Sequence, residues 1–158
     1  MIRQLHTFHG GIHLPGHKGE STRSPIVDAG IPKELVLPVQ QHIGEPAEPI
    51  VAVGDKVKTG QMIARPEGFV SAPVHASSSG TVTAIEQRPV PHPSGMSALC
   101  IVIETDGEDT PAERRPVDNY EAMDPSALRN VVREAGIVGL GGAGFPSFIK
   151  LNPGPRTA

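Results

Sequence analysis

The apolar residues between positions 34 and 106 come in short runs, each closed by residues that turn a chain. The runs are Leu35-Val36-Leu37, Ile50-Val51-Ala52-Val53, Met62-Ile63-Ala64, Thr81-Val82-Thr83-Ala84-Ile85 and Leu99-Cys100-Ile101-Val102-Ile103. Gly54-Asp55, Gly60, Ser77-Ser78-Ser79-Gly80 and Asp106-Gly107 punctuate them. Runs this short, rich in β-branched residues and bounded by such turns, predict strands. With 17 prolines and 18 glycines in 158 residues, long helices have little room. Four phenylalanines and one tyrosine leave the core to aliphatic side chains. The predicted fold is mainly β, a small sandwich or barrel.

The rest of the chain divides around this region. Residues 1–33 are broken by Gly10-Gly11, Pro15-Gly16, Gly19, Pro25, Gly30 and Pro32, and predict an extended N-terminal arm. His9, His13 and His17 are spaced four apart, as metal ligands are on one helix face, but the intervening glycines and proline oppose that helix. No metal site is expected there. Residues 34–106 form the β domain, and the mixed charge of 107–123 predicts a linker. Residues 124–158 open with a helix: Asp124 as N-cap, Pro125 at the first turn, Leu128, Val131, Val132 and Ala135 on one stripe, and Gly136 as the stop. That stripe is expected to pack on a part of the protein lying beyond this chain.

A formal charge of −3, without blocks of like charge or interleaved aromatics, argues against a nucleic-acid partner. One cysteine forms no internal disulfide and ligates no iron–sulfur cluster. Cys100, inside an apolar run, is read as a small buried hydrophobe, and His92, in the excursion Pro89 to Gly95, as a solvent-facing loop residue. No residue has the partner a general acid or base requires, so no catalytic residue is assigned. No stretch reaches the roughly 18 apolar residues of a membrane span, and a soluble chain is expected.

Val53-Gly54-Asp55-Lys56-Val57-Lys58-Thr59-Gly60-Gln61 and Ser71-Ala72-Pro73-Val74-His75, continuing through Gly80-Thr81-Val82, have the character of two half-repeats. Together they resemble the barrel-sandwich hybrid of biotinyl and lipoyl carrier domains. Carriers present the modified lysine on the hairpin joining the halves. Here that connection is Arg65-Pro66-Glu67-Gly68-Phe69-Val70, without lysine; Lys56 and Lys58 lie inside the first half. The resemblance implies the fold and not the carrier chemistry.

Gly139-Leu140-Gly141-Gly142-Ala143-Gly144-Phe145-Pro146 satisfies a dinucleotide fingerprint formally, but lacks the preceding strand and following helix. The longer string, ending in Ser147 with Lys150 behind it, resembles the flavin and NADH loop of the respiratory complex I flavoprotein. That resemblance implies that Gly139, Gly141, Gly142 and Gly144 cradle the phosphate of flavin mononucleotide (FMN), that Phe145 stacks on nicotinamide and that Lys150 contacts the flavin. Leu140 stands where that pattern has arginine.

Over nearly the whole chain, the order Gly10–Pro15, Leu37–Gly44, Phe69–His75, Pro91–Gly95 and the glycine string is similar to the RnfC family of Rnf ion-translocating electron transport complexes. This resemblance implies a barrel-sandwich hybrid followed by the start of an α/β flavin/NADH-binding domain, and two [4Fe-4S] clusters in a later segment. It implies an oxidoreductase subunit that exchanges electrons with NAD(H) through FMN. Its partners would be the other subunits of the membrane complex, with the protein peripheral on the cytoplasmic side of the bacterial inner membrane. The chain is expected to be the N-terminal part of such a protein, inactive alone and holding no cofactor tightly. The alternatives are a noncatalytic docking module and an acyl or biotin carrier acting through Lys56 or Lys58.

Overall fold

The computed structural model describes residues 9–11, 14–92, 94–114 and 116–152, and divides the chain between Gly30 and Ile31. In the first unit the described residues are all exposed and carry neither helix nor strand. Its local order comes from polar turns: the Thr22 amide and the Ser21 and Thr22 hydroxyls donate to the Lys18 carbonyl, and the Gly30 amide donates to Asp28. His9 and His17 are exposed, and His13 lies outside the described residues.

The second unit is built around one long antiparallel pair, β6 (Gly80–Pro89) and β7 (Ser97–Thr105). β7 runs between β6 and β1 (Glu34–Pro38), and this central position explains its unbroken apolar run: Cys100, Ile101, Val102 and Ile103 are all buried. β6 has an irregularity between Val82 and Ala84. The added residue, Thr83, shifts the alternation so that Val82 and Ile85 both reach the core. β3 (Lys56–Val57) completes this sheet in the order β1-β7-β6-β3. A second sheet, β2-β4-β5, consists of Glu48–Pro49, Met62–Arg65 and Val74–His75. Leu37, Val39, Val57, Ile63, Val74, Val82, Ile101 and Ile103 form the core.

Four of the five predicted strands are present. The fifth, Ile50–Val53, is not a strand; the neighbouring pairing belongs to Glu48–Pro49. The Asp55 carboxylate accepts the Ala52 amide at 2.8 Å while the Asp55 amide donates to the Ala52 carbonyl, which closes a turn before a ladder can extend. Ile50 and Val53 are consequently exposed.

The segment read as a linker is tied down where it begins. Asp109 accepts the Thr59 and Ser78 hydroxyls at 2.6 and 2.8 Å, Asp106 accepts the Ser79 hydroxyl at 2.7 Å, and Ser79 accepts the Thr110 amide. Thr59 also exchanges backbone hydrogen bonds with Thr110 and Ala112. The Ser79 hydroxyl holds Asp106 below the usual aspartate range, and the Thr59 and Ser78 hydroxyls do the same for Asp109. Carboxylates with depressed folded values contribute stability above their unfolded values and lose it as pH falls through the folded ones. Acidification below about pH 4 is therefore expected to lower the protection of the Thr110 and Ala112 amides, measured against the exchange rate of an unstructured chain at the same pH, before the β6–β7 core opens. The double variant Asp106→Asn, Asp109→Asn keeps acceptor oxygens without the titration, so the protection of the same amides should be nearly flat over that range; a wild-type acid profile in the variant would dismiss the latch.

Beyond it lie a single 3-10 turn (Tyr120–Ala122), α1 (Pro125–Glu134), β8 (Val138–Gly139), β9 (Phe145–Pro146) and α2 (Ser147–Lys150). The cap is as predicted: Asp124 accepts the Ser126 amide at 2.7 Å, and Gly136 takes φ +68° after the helix. No helix is long and apolar enough to cross a membrane among the described residues. An α/β flavin domain is not visible in this segment.

Candidate functional site

The glycine string folds as an antiparallel hairpin rather than as a strand-to-helix phosphate loop. Val138 pairs with Pro146 and Gly139 with Phe145, which leaves residues 140–144 as the tip. The Ser147 amide closes the base on the Ile137 carbonyl at 3.0 Å. On one side, the Lys150 ammonium sits 5.4 Å from the Phe145 ring centroid, a cation–π distance. A Cβ on Gly139 would lie 4.0 Å from Lys150 Nζ, so the bare Cα of Gly139 faces the same ammonium. Gly139, Phe145 and Lys150 thus come together. Gly141 and Gly142 occupy the tip with open space around them, and the adjacent Leu140 is 92% exposed.

Gly144 does something else. It adopts φ +60°, and a Cβ there would come within 2.6 Å of the Gln41 carbonyl oxygen and 2.9 Å of the His42 Cα. Its missing side chain lets the hairpin press on the barrel, and the Ile43 amide donates to the Ala143 carbonyl at 3.1 Å across the same contact. The receiving segment is held by His42, a buried side chain. His42 Nε2 accepts the Ala72 amide at 3.1 Å, which assigns the proton to Nδ1, 3.0 Å from the Ile43 carbonyl. Sequence reading placed His42 in a motif without giving it a task, because its partners are a backbone amide 30 positions away and a neighbouring carbonyl.

Beside the docked hairpin opens a cleft of about 840 Å³, walled by Val36, Gln40, Ile43, Met96, Gly142 and Ala143 among others. Pro91, His92 and Ser94 form part of its rim. His92 is exposed, and its ring meets Ser94, with Nδ1 2.8 Å from the hydroxyl and 3.1 Å from the amide. Cys100 is fully buried, donates to the Ala98 carbonyl and has its thiol pushed up by burial, which makes it a poor nucleophile.

The connection that carries lysine in carrier domains here receives the C-terminal helices. Phe69 packs edge-on to Phe148 of α2, with centroids 6.4 Å apart and planes at 76°. Arg133 of α1 lies 5.1 Å from the Phe148 centroid and donates to the Gly68 carbonyl at 3.4 Å. His75 packs against Gly136 at the end of α1; desolvation lowers its pKa, and the backbone of Glu134 offsets part of that. Lys56 and Lys58 are exposed and lie outside this connection. Among the described residues nothing covers the stripe on α1: Leu128, Val131 and Val132 line an apolar groove of about 440 Å³ with Val117, Tyr120 and Leu151. No group of three or more metal-ligating side chains occurs among the described residues.

The two sheets, the half-repeat turns and the lysine-free connection define a barrel-sandwich hybrid carrying a docked glycine hairpin. Residues 6–108 match the family described as the RnfC barrel sandwich hybrid domain, and the chain belongs to that family. Curated relatives extend the similarity through the hairpin. The chain is 45% identical over 151 residues to the C subunit of the ion-translocating oxidoreductase complex of Vibrio cholerae, and 49% identical over 151 residues to its counterpart from Pseudomonas aeruginosa. In both cases 96% of this chain and 20% of the relative are covered. It is 47% identical over 146 residues to the C subunit of the Na(+)-translocating ferredoxin:NAD(+) oxidoreductase complex of Acetobacterium woodii, covering 92% of this chain and 32% of that relative. The chain therefore spans a fifth to a third of the length of these proteins.

Proposed function

We propose that this chain is the N-terminal part of an electron-transfer subunit in an ion-translocating, membrane-associated oxidoreductase complex, and that its hairpin forms one wall of a flavin and nicotinamide nucleotide site. One observation carries the reading: a lysine ammonium, an aromatic ring and side-chain-free backbone converge at Lys150, Phe145 and Gly139, beside the open tip of Gly141 and Gly142. These fit an anionic, planar ligand. The tip can approach a phosphate without a Cβ in the way, Lys150 supplies positive charge, and Phe145 supplies an aromatic ring of the kind that stacks on a planar ligand. Gly144 serves the same site indirectly, by seating the hairpin.

Bound FMN would supply the conversion between hydride transfer and single-electron transfer. The protein's part is binding, orientation and exclusion of water. The onward path would run through two [4Fe-4S] clusters in later segments to the other subunits, with the protein on the cytoplasmic face of the bacterial inner membrane. The domain order that goes with this reading is an arm over 1–33, the barrel-sandwich hybrid over 34–106, a connector over 107–123 and the first part of a nucleotide-binding domain from 124.

Titration of FMN and of NADH into the 158-residue chain tests the proposal. Binding should be weak, near about 1 mM, because one wall of a site offers few contacts to offset the loss of ligand freedom. Gly141 has open space and no left-handed φ, so Gly141→Ala should leave the melting temperature unchanged while removing the residual binding. No saturable binding, or equal binding in the variant, would leave the docking role as the better reading. That second reading rests on the uncovered α1 groove.

A further inference from the structure

We infer that His42 is a positioning residue: its imidazole fixes the segment on which the glycine hairpin is seated, so the barrel, through one side chain, sets where the hairpin lies. The inference rests on the nucleotide-site reading only for what the hairpin binds. The positioning itself follows from the contacts.

The imidazole bridges two pieces of backbone. Nε2 accepts the Ala72 amide, at the end of the connection between β4 and β5, and Nδ1 donates to the Ile43 carbonyl. The same stretch meets the hairpin from the other side. The Ile43 amide donates to Ala143, and the Cα of His42 with the Gln41 carbonyl fills the space that a Cβ on Gly144 would need. A seat this close works only if it does not move. The Ala72 amide is buried, so losing its acceptor leaves an unsatisfied donor and releases the seat. His42 is itself only 8% exposed and, although it is among the residues lining the cleft, both ring nitrogens are occupied by backbone groups. Its role is therefore exerted through the seat.

The test compares His42→Ala with His42→Gln in the 158-residue chain by amide hydrogen exchange. Glutamine carries a carbonyl oxygen that can replace Nε2 as the acceptor for Ala72. In His42→Ala the Ile43 amide, which donates to the hairpin, and the hydrogen-bonded amides within 138–145 should exchange about tenfold faster, while Ile101 and Ile103 in the core keep their protection. His42→Gln should restore most of the hairpin's protection. Gly144→Ala, which wedges the same contact from the hairpin side, should reproduce the effect of His42→Ala with the barrel intact. Unchanged hairpin exchange in His42→Ala, or equal acceleration in core and hairpin without rescue by glutamine, would overturn the assignment. FMN titration of the same proteins is a separate readout. Hairpin release in a protein that never binds FMN would sustain the positioning role and remove the nucleotide reading.

Discussion

Gly80→Ala is expected to cost the barrel about 3–5 kcal/mol, enough to consume much of the stability of a domain this size. The cause is strand packing, not turn conformation. Gly80 opens β6 opposite Thr105 of β7, and a Cβ there would stand 2.1 Å from the Glu104 carbonyl oxygen and 2.8 Å from the Thr105 Cα. Both obstacles are backbone, so no side chain can swing aside. Relief requires β6 to move off β7 at the point where β3 also pairs, through Val57 with Gly80. The adjacent Ser79–Asp106 contact would be strained too. Thermal unfolding followed by far-ultraviolet circular dichroism checks this, with Gly141→Ala as the control for adding a methyl where space is open. A fall in Tm of at least ~10 °C is expected. A change no larger than the control's would mean that the β6–β7 pair accommodates the methyl.

The strands were legible wherever apolar alternation ran long enough to carry a period. β1, β4, β6 and β7 all lie on runs visible in the sequence, and the central position of β7, which the structure adds, accounts for its being apolar on both faces. β2, β3, β5, β8 and β9 have two residues each, too few for any pattern, and exist because their neighbours align them. Ile50–Val53 had the composition of a strand and lost it to the Asp55 turn. The latch joining Asp106 and Asp109 to the serines and Thr59 spans 27 to 50 positions, and polar pairs at such distances leave no periodic trace.

The candidate site was legible as composition and not as geometry. A string such as Gly139 to Phe145 shows that backbone must come close to something. It does not say which glycine serves a ligand and which serves packing. The structure separates them: Gly141 and Gly142 face open space, Gly139 faces Lys150, and Gly144 faces the barrel. The connection of residues 66–70 shows the same limit from the other direction. Its lack of lysine weighed against carrier chemistry and left Lys56 and Lys58 as the alternative, while its use as the contact for Phe148 and Arg133 depended on residues more than 60 positions downstream.

Gly44→Ala should act on the hairpin's seat as Gly80→Ala acts on the sheet. Gly44 has φ +91°, and a Cβ would fall 2.0 Å from the Val70 carbonyl oxygen and 2.8 Å from the Val70 Cβ. That carbonyl also accepts the Glu45 amide at 2.9 Å, so a methyl group would push apart the two strips of backbone that this bond joins. One strip leads directly back to Gln41, His42 and Ile43. The other leads forward to Ala72, the amide that His42 holds. A left-handed alanine and a backbone collision together cost about 3–5 kcal/mol, concentrated where the barrel receives the hairpin. Gly54→Ala supplies the comparison, because Gly54 has φ +97° with no atom within 4 Å of its added Cβ, and so isolates the conformational part. Chemical denaturation should show Gly44→Ala losing at least ~2 kcal/mol more than Gly54→Ala. Amide spectra should show Ala143, Gly144 and Phe145 shifted in the first variant and unmoved in the second. Equal losses in the two variants would mean that the 41–45 segment can lift from Val70 freely, and a seat that lifts freely could not set the hairpin's position.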